Sequence, residues 1–197
     1  AVPSRQFDIS KIDFELLSRE FAHTRRKNLL LRDLDELVNQ QLSKMLFANP
    51  QRIDYYDRYQ EIIDAYNAEQ NRATIEKTFM DLMELASSLD TEQQRYVREG
   101  FSSDEELSVY DLLFSENLTK QEIETIKKVS VDLLTKIKQQ IAKLDHWTDK
   151  QETKAIVDNL IRNTLWQELP NSYDVSDIQT YQKKIYEYVY MRYPEVA

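Results

Sequence analysis

Most enzyme sites draw on histidine, cysteine or a glycine-rich loop, and this chain of 197 residues offers two histidines, no cysteine and one glycine. Glu20-Phe21-Ala22-His23 has the Glu-x-x-His spacing with which di-iron bundles project two ligands from one helix face. That chemistry needs a second such motif and two further carboxylates. The second motif is missing, so His23 reads as a surface or boundary histidine. His23 or His146 could supply the base of a Ser–His–Asp set, but no Gly-x-Ser-x-Gly elbow exists to present a nucleophile. Glu152-Thr153-Lys154, with Asp132 or Asp145 upstream, superficially matches the Asp…Glu-x-Lys pattern of metal-dependent nucleases. Those carboxylates must converge on one metal. Here Glu152 and Lys154 fall on a predicted helix, about 200° apart around its axis, and a solvated helix face is the expected reading. One glycine excludes a P-loop and a dinucleotide fingerprint, which crowd backbone N–H groups against phosphates. Without cysteine there is no thiolate metal site and no disulfide. No catalytic, cofactor-binding or metal-ligating residue is therefore expected in this chain.

Arg25-Arg26-Lys27 is the one compact basic cluster. It lies between two predicted helices. It could contact nucleic acid, together with Lys127 and Lys128, or an acidic partner. The alternative is a polar connector whose charges suit the C-terminal dipole of the first helix.

These residues must be positioned by helices. A single glycine and four prolines, against an ordinary glycine usage of ~7%, leave few of the tight turns that antiparallel sheets need. The expectation is an all-α fold of about eight helices in an irregular, bundle-like array. Phe14, Leu17 and Phe21 stripe a helix over 13–23. Leu34, Leu37, Val38, Leu42 and Met45 stripe one over 29–48, which Asn49-Pro50 stops. A third starts near Ile53. Its stripe of Tyr55, Tyr59, Ile62, Ile63 and Tyr66 is interrupted by polar residues 67–72 and resumes with Ile75, Phe79, Leu82, Ala86 and Leu89. The polar stretch is either a solvated bridge within one helix or a break between two. Thr91 reads as the N-cap of a helix ending at Gly100. Ser103 with Glu106 and Thr119 with Glu122 have capping-box spacing, the second opening a helix to about Leu144. Two more helices are expected over about 149–169 and 177–193, with Ser176 capping the last. Trp147 and Trp166 are expected to pack at helix ends. On the last helix Tyr186, Val189, Tyr190 and Tyr193 share one face, with Tyr181 and Tyr188 nearer the opposite side. No repeat and no low-complexity linker divides the chain, so residues 1–197 read as one domain, with candidate hinges near 49–52 and 170–176.

The net charge is −9, distributed as +1 over residues 1–50, −9 over 51–115 and −1 over 116–197. The acidic middle would repel a phosphate backbone and disfavours a broad DNA-tracking face there. No apolar run approaches the ~20 residues of a membrane-spanning helix, and Ala1-Val2-Pro3-Ser4 lacks the apolar core of a signal peptide. The absence of cysteine fits a reducing cytoplasm, the expected compartment. The chain starts without Met, as an excised piece or a processed one would.

Several strings taken in order carry a family likeness. They are Arg26-Lys27-Asn28, Leu34, Leu42, Met45-Leu46, Asn49-Pro50 and Arg52, then Tyr55 through Ile63 and Tyr66-Asn67. Further on come Arg95 to Gly100, Glu105-Glu106-Leu107, Tyr110 to Leu113, Trp147 and Pro170. From about Phe7 to Tyr193 the chain resembles the C-terminal helical domain of the R subunit of type I restriction-modification enzymes. The resemblance implies a longer parent, with an N-terminal Asp…Glu-x-Lys nuclease, two RecA-like motor lobes that hydrolyse ATP with magnesium and translocate DNA, and this helical region. It implies that the region packs on the motor lobes and helps dock R onto the methyltransferase core of M and S subunits. No nuclease or motor motif lies within these residues, so no catalytic residue is carried over, and ATP, magnesium and DNA belong to the full assembly. A nucleic-acid-contacting module using Arg25, Arg26 and Lys27 is the competing reading.

Overall fold

The computed structural model describes residues 12–195. The signal-peptide reading of Ala1 to Ser4, and Phe7 at the start of the resemblance, lie outside the described residues. The chain forms two compact units, Ala1–Arg95 and Tyr96–Ala197. Among the described residues every regular element is helical, so the fold is all-α.

The first unit holds α1 (Phe14–His23), α2 (Lys27–Ala48), a 3-10 turn (Pro50–Arg52), α3 (Ile53–Ala68) and α4 (Arg72–Gln93). α4 packs against both α2 and α3. The expected stripes point inward: Leu31, Leu34, Val38, Leu42 and Met45 of α2 and Phe79, Leu82, Leu85, Ala86 and Leu89 of α4 are buried together with Phe21 and Tyr59. The interrupted third stripe is a break. Glu69, Gln70 and Asn71 separate α3 from α4, and Asn71 caps α4 by accepting from the Thr74 N–H at 2.9 Å. Thr91 caps nothing. α4 runs through it, and its hydroxyl donates to the Ser87 carbonyl one turn back. A hydroxyl with an i−4 carbonyl in reach is satisfied inside a helix, and spacing alone does not distinguish this from a cap.

A short helix, α5 (Arg95–Arg98), follows, and the second unit holds α6 (Asp104–Leu113), α7 (Lys120–Ile141), α8 (Gln151–Glu168) and α9 (Val175–Arg192). Nine helices are thus present among the described residues, the break after α3 adding one to the expected eight. Gly100 has φ +85°; its N–H donates to the Val97 carbonyl and the Phe101 N–H to the Tyr96 carbonyl. That pair of bonds is the Schellman stop expected of a glycine in the left-handed region. Thr119 and Glu122 form a reciprocal capping box at α7. Ser103 caps α6, while the Glu106 carboxylate reaches back one residue further, to the Ser102 N–H. α9 starts two residues earlier than expected. Asp174, not Ser176, is its cap, in a box with Asp177; a carboxylate at the N-terminus also meets the positive end of the helix dipole.

In the second unit α7 packs on α6 and α8, and α9 packs on α8 and α6. Leu107, Leu113, Ile126, Leu133, Ile137, Val157, Ile161, Leu165, Ile185 and Val189 fill its core. Trp147 is fully buried in the turn after α7 and donates its indole N–H to the Tyr193 carbonyl at 2.7 Å. Trp166 lies in the last turns of α8 and remains 48% exposed, contrary to the expected end packing. On α9 the buried side is Ile178, Ile185, Tyr188 and Val189, whereas Tyr190 sets its ring edge-on to Trp147 and stays partly exposed. No helix among the described residues is long and apolar enough to cross a membrane.

Candidate functional site

The basic cluster sits where α1 ends and α2 begins. Thr24 terminates α1, its N–H donating to the Glu20 carbonyl. The last carbonyls of a helix lack intrahelical donors. Lys27 supplies one: its ammonium donates to the Phe21 carbonyl at 2.8 Å and lies 4.4 Å from the centroid of the Phe21 ring. Phe21 in turn stacks on Phe79 in the core. Lys27 is therefore half-buried and fastened to the end of α1. Arg25 and Arg26 are exposed, and the Arg26 backbone N–H donates to the Thr24 hydroxyl. The structure splits the three residues into one structural cation and two solvent-facing ones. Lys127 is likewise engaged, donating to the Glu99 carbonyl and pairing with its carboxylate at 3.2 Å, whereas Lys128 is exposed.

The sequence-matched carboxylates do not converge. Glu20 and His23 are exposed on α1. Asp145 lies beside His146, 3.5 Å from its Nε2, in a solvent-facing turn, and Glu152 is exposed. Asp132 pairs with Lys136 at 2.6 Å, and Lys136 also donates to Glu168 of α8 at 2.8 Å. Among the described residues no group of three or more His, Asp or Glu side chains is placed to hold a metal ion.

The Asp132–Lys136–Glu168 group is a cross-link between α7 and α8 with a divided electrostatic character. Hydrogen bonds from Glu168 and Lys136 hold the Asp132 carboxyl below the usual carboxylate range. Burial and the hydrogen bond to Asp132 push Glu168 up, and its place at the C-terminal end of α8 opposes a negative charge as well. The two carboxylates raise Lys136.

Two further polar arrangements were not legible as such. Arg52 and Glu92 are both buried, with Nε donating to Oε1 at 3.1 Å. Arg52 also donates to the Met45 carbonyl near the end of α2, and Arg95 donates to both Glu92 oxygens at 3.1 and 2.9 Å. This network fastens the turn at 49–52 to both α2 and α4. Asn49, also buried, caps the same turn by accepting from the Gln51 N–H. The one available signal was an arginine placed three residues after a helix-stopping Asn, within reach of that helix's orphan carbonyls. The 170–176 segment is tied down in a similar way, the Tyr173 hydroxyl donating to the Leu113 carbonyl at 2.5 Å.

A family model described as type I restriction enzyme HindI endonuclease subunit-like, C-terminal, matches residues 2–193. No curated protein and no solved structure matches the chain.

Proposed function

We propose, from the premise that the chain belongs to the family of type I restriction enzyme HindI endonuclease subunit-like C-terminal regions, that it is a non-catalytic assembly domain of such a subunit. In this reading it packs on the motor of its own subunit and helps dock that subunit onto the methyltransferase core. Nuclease and ATP-driven translocation then belong to other parts of the parent, with ATP and magnesium bound there. The observation that carries the reading is the extent of the match, residues 2–193 of 197. The chemistry of the chain supports it. Asp132 is spent on Lys136, Lys27 on the end of α1, and Arg52 on Glu92, which leaves helix surfaces rather than a reaction centre for function.

The test is competition. The purified chain, added in large excess to a reconstituted restriction reaction, should reduce cleavage by displacing the full endonuclease subunit from the methyltransferase. Cleavage undiminished at large excess would count decisively against a docking role. The chain alone should show neither ATP hydrolysis nor DNA cleavage.

A further inference from the structure

Among the described residues one buried side-chain oxygen has no hydrogen-bond partner, Oδ1 of Asp90 near the end of α4. Asp90 has no ion pair there either. A carboxylate oxygen withdrawn from water calls for a donor, and a cationic donor serves it best. The path of α1 along α4 bears on where that donor lies. Phe21 of α1 stacks on Phe79. Phe14, seven residues earlier, lines a hollow of about 360 Å³ whose α4 wall runs from Met80 to Ser87. α1 is therefore antiparallel to α4, and the chain before Phe14 heads toward the C-terminal turns of α4. Ile12, two residues before α1, still packs against the same core.

Seven residues of helix advance about 10.5 Å, so the step from Phe21 back to Phe14 equals the step from Phe79 on to Ala86. Continued by three residues, the same register brings Lys11, just outside the described residues, level with the last turns of α4, where Asp90 stands. Asp90 follows Met83 by seven residues and Ser87 by three, which puts it on the side of α4 that lines the hollow. Asp13, a carboxylate close to Lys11 in sequence, is committed to the cap of α1, accepting from the Leu16 N–H at 3.0 Å. We propose that the chain entering α1 is strapped to the C-terminal turns of α4 by an ion pair between the Lys11 ammonium and the Asp90 carboxylate. The strap fixes the line along which the chain enters the first unit. In the assembly reading above, that line is the attachment through which the motor orients this unit; this consequence rests on that reading, whereas the ion pair does not.

Amine labelling of the native full chain, read residue by residue by mass spectrometry, tests the pair without a variant. Lys11 should react more slowly than the exposed Lys128, and Asp90→Asn should bring its rate up to that of Lys128. Trypsin gives a second readout. Asp90→Asn should speed cleavage after Lys11 at least about tenfold, the loss expected of a close charge pair, and leave cleavage after the exposed Arg25 and Arg26 unchanged. In urea, the midpoint loss of Lys11→Met combined with Asp90→Asn should be smaller than the sum of the two single losses. Arg5→Met combined with Asp90→Asn should instead be additive. A Lys11 as reactive as Lys128 in the native chain, or additive losses for Lys11→Met and Asp90→Asn, would overturn the pair and leave solvent as the partner of Asp90. Coupling of Asp90 to Arg5 in place of Lys11 would overturn it as well. The assembly reading fails separately: it falls if the native chain does not compete in the restriction reaction, whatever the labelling shows.

Discussion

At the scale of single residues, the buried pair Arg52 and Glu92 has the largest energetic stake. Truncating one partner leaves the other charge desolvated, which costs about 3–5 kcal/mol in such settings, whereas replacing both with apolar groups is close to neutral. Arg52→Ala should therefore lower the urea midpoint of the chain sharply, and Arg52→Met combined with Glu92→Leu should lower it much less. The tyrosines give a second prediction at this scale. Burial is the leading cause pushing up the phenols of Tyr59, Tyr173 and Tyr188. The neutral form is thus favoured in the fold, and its contribution is fully present below the unfolded phenol value of about 10 and is lost as pH rises above it. Each such phenol should cost about 1.4 kcal/mol of stability per pH unit above 10 until it ionises in the folded state. The last part of the tyrosinate absorbance, that of these buried phenols, should then appear together with the loss of helical circular dichroism. Ionisation of all twelve tyrosines with the helices intact would contradict the burial of these three side chains.

At the scale of elements, the apolar stripes were readable because period and burial coincide. Leu34, Val38, Leu42 and Met45 were assigned to one face of a helix and are buried on it. The caps were less readable, because Ser, Thr, Asp and Asn compete for the same position and spacing does not rank them. Thr119 caps and Gly100 stops a helix where spacing places them, whereas α4 runs through Thr91 and Asp174 takes the cap position expected of Ser176. Substitution separates the two possible caps of α9. Asp174→Ala removes the carboxylate that accepts from the Asp177 N–H and should cost about 1 kcal/mol. Ser176→Ala, in the first turn of the helix, should be nearly neutral in the same thermal melt. Gly100→Ala should also cost about 1–2 kcal/mol, the penalty of a side chain in the left-handed region, although no atom lies within 4 Å of the added carbon. The candidate site was legible only in part. Arg25-Lys27 was visible as a charge run, but the bond from Lys27 to the Phe21 carbonyl depends on where α1 stops.

At the scale of the whole molecule, sequence reading offered one domain over residues 1–197, because no linker interrupts the pattern. The cores nevertheless divide: Phe79 and its neighbours form one buried cluster, and Trp147 and its neighbours another. A stretch of about 100 residues is large enough to bury a core of its own, and α4 runs to Gln93, just short of the division after Arg95, without a glycine or proline to mark it. Composition could not reveal such a boundary, since a division without a flexible linker leaves no change in residue usage. Separate expression decides between one cooperative domain and two. The second unit alone, residues 96–197, should remain helical and keep the emission of the buried Trp147 blue-shifted, while Trp166, 48% exposed, contributes the red component. Unfolding of that piece should release a single red-shifted spectrum in one cooperative step. A piece that is unfolded from the outset would mean that residues 1–95 are needed to complete its core, and the one-domain reading would then hold.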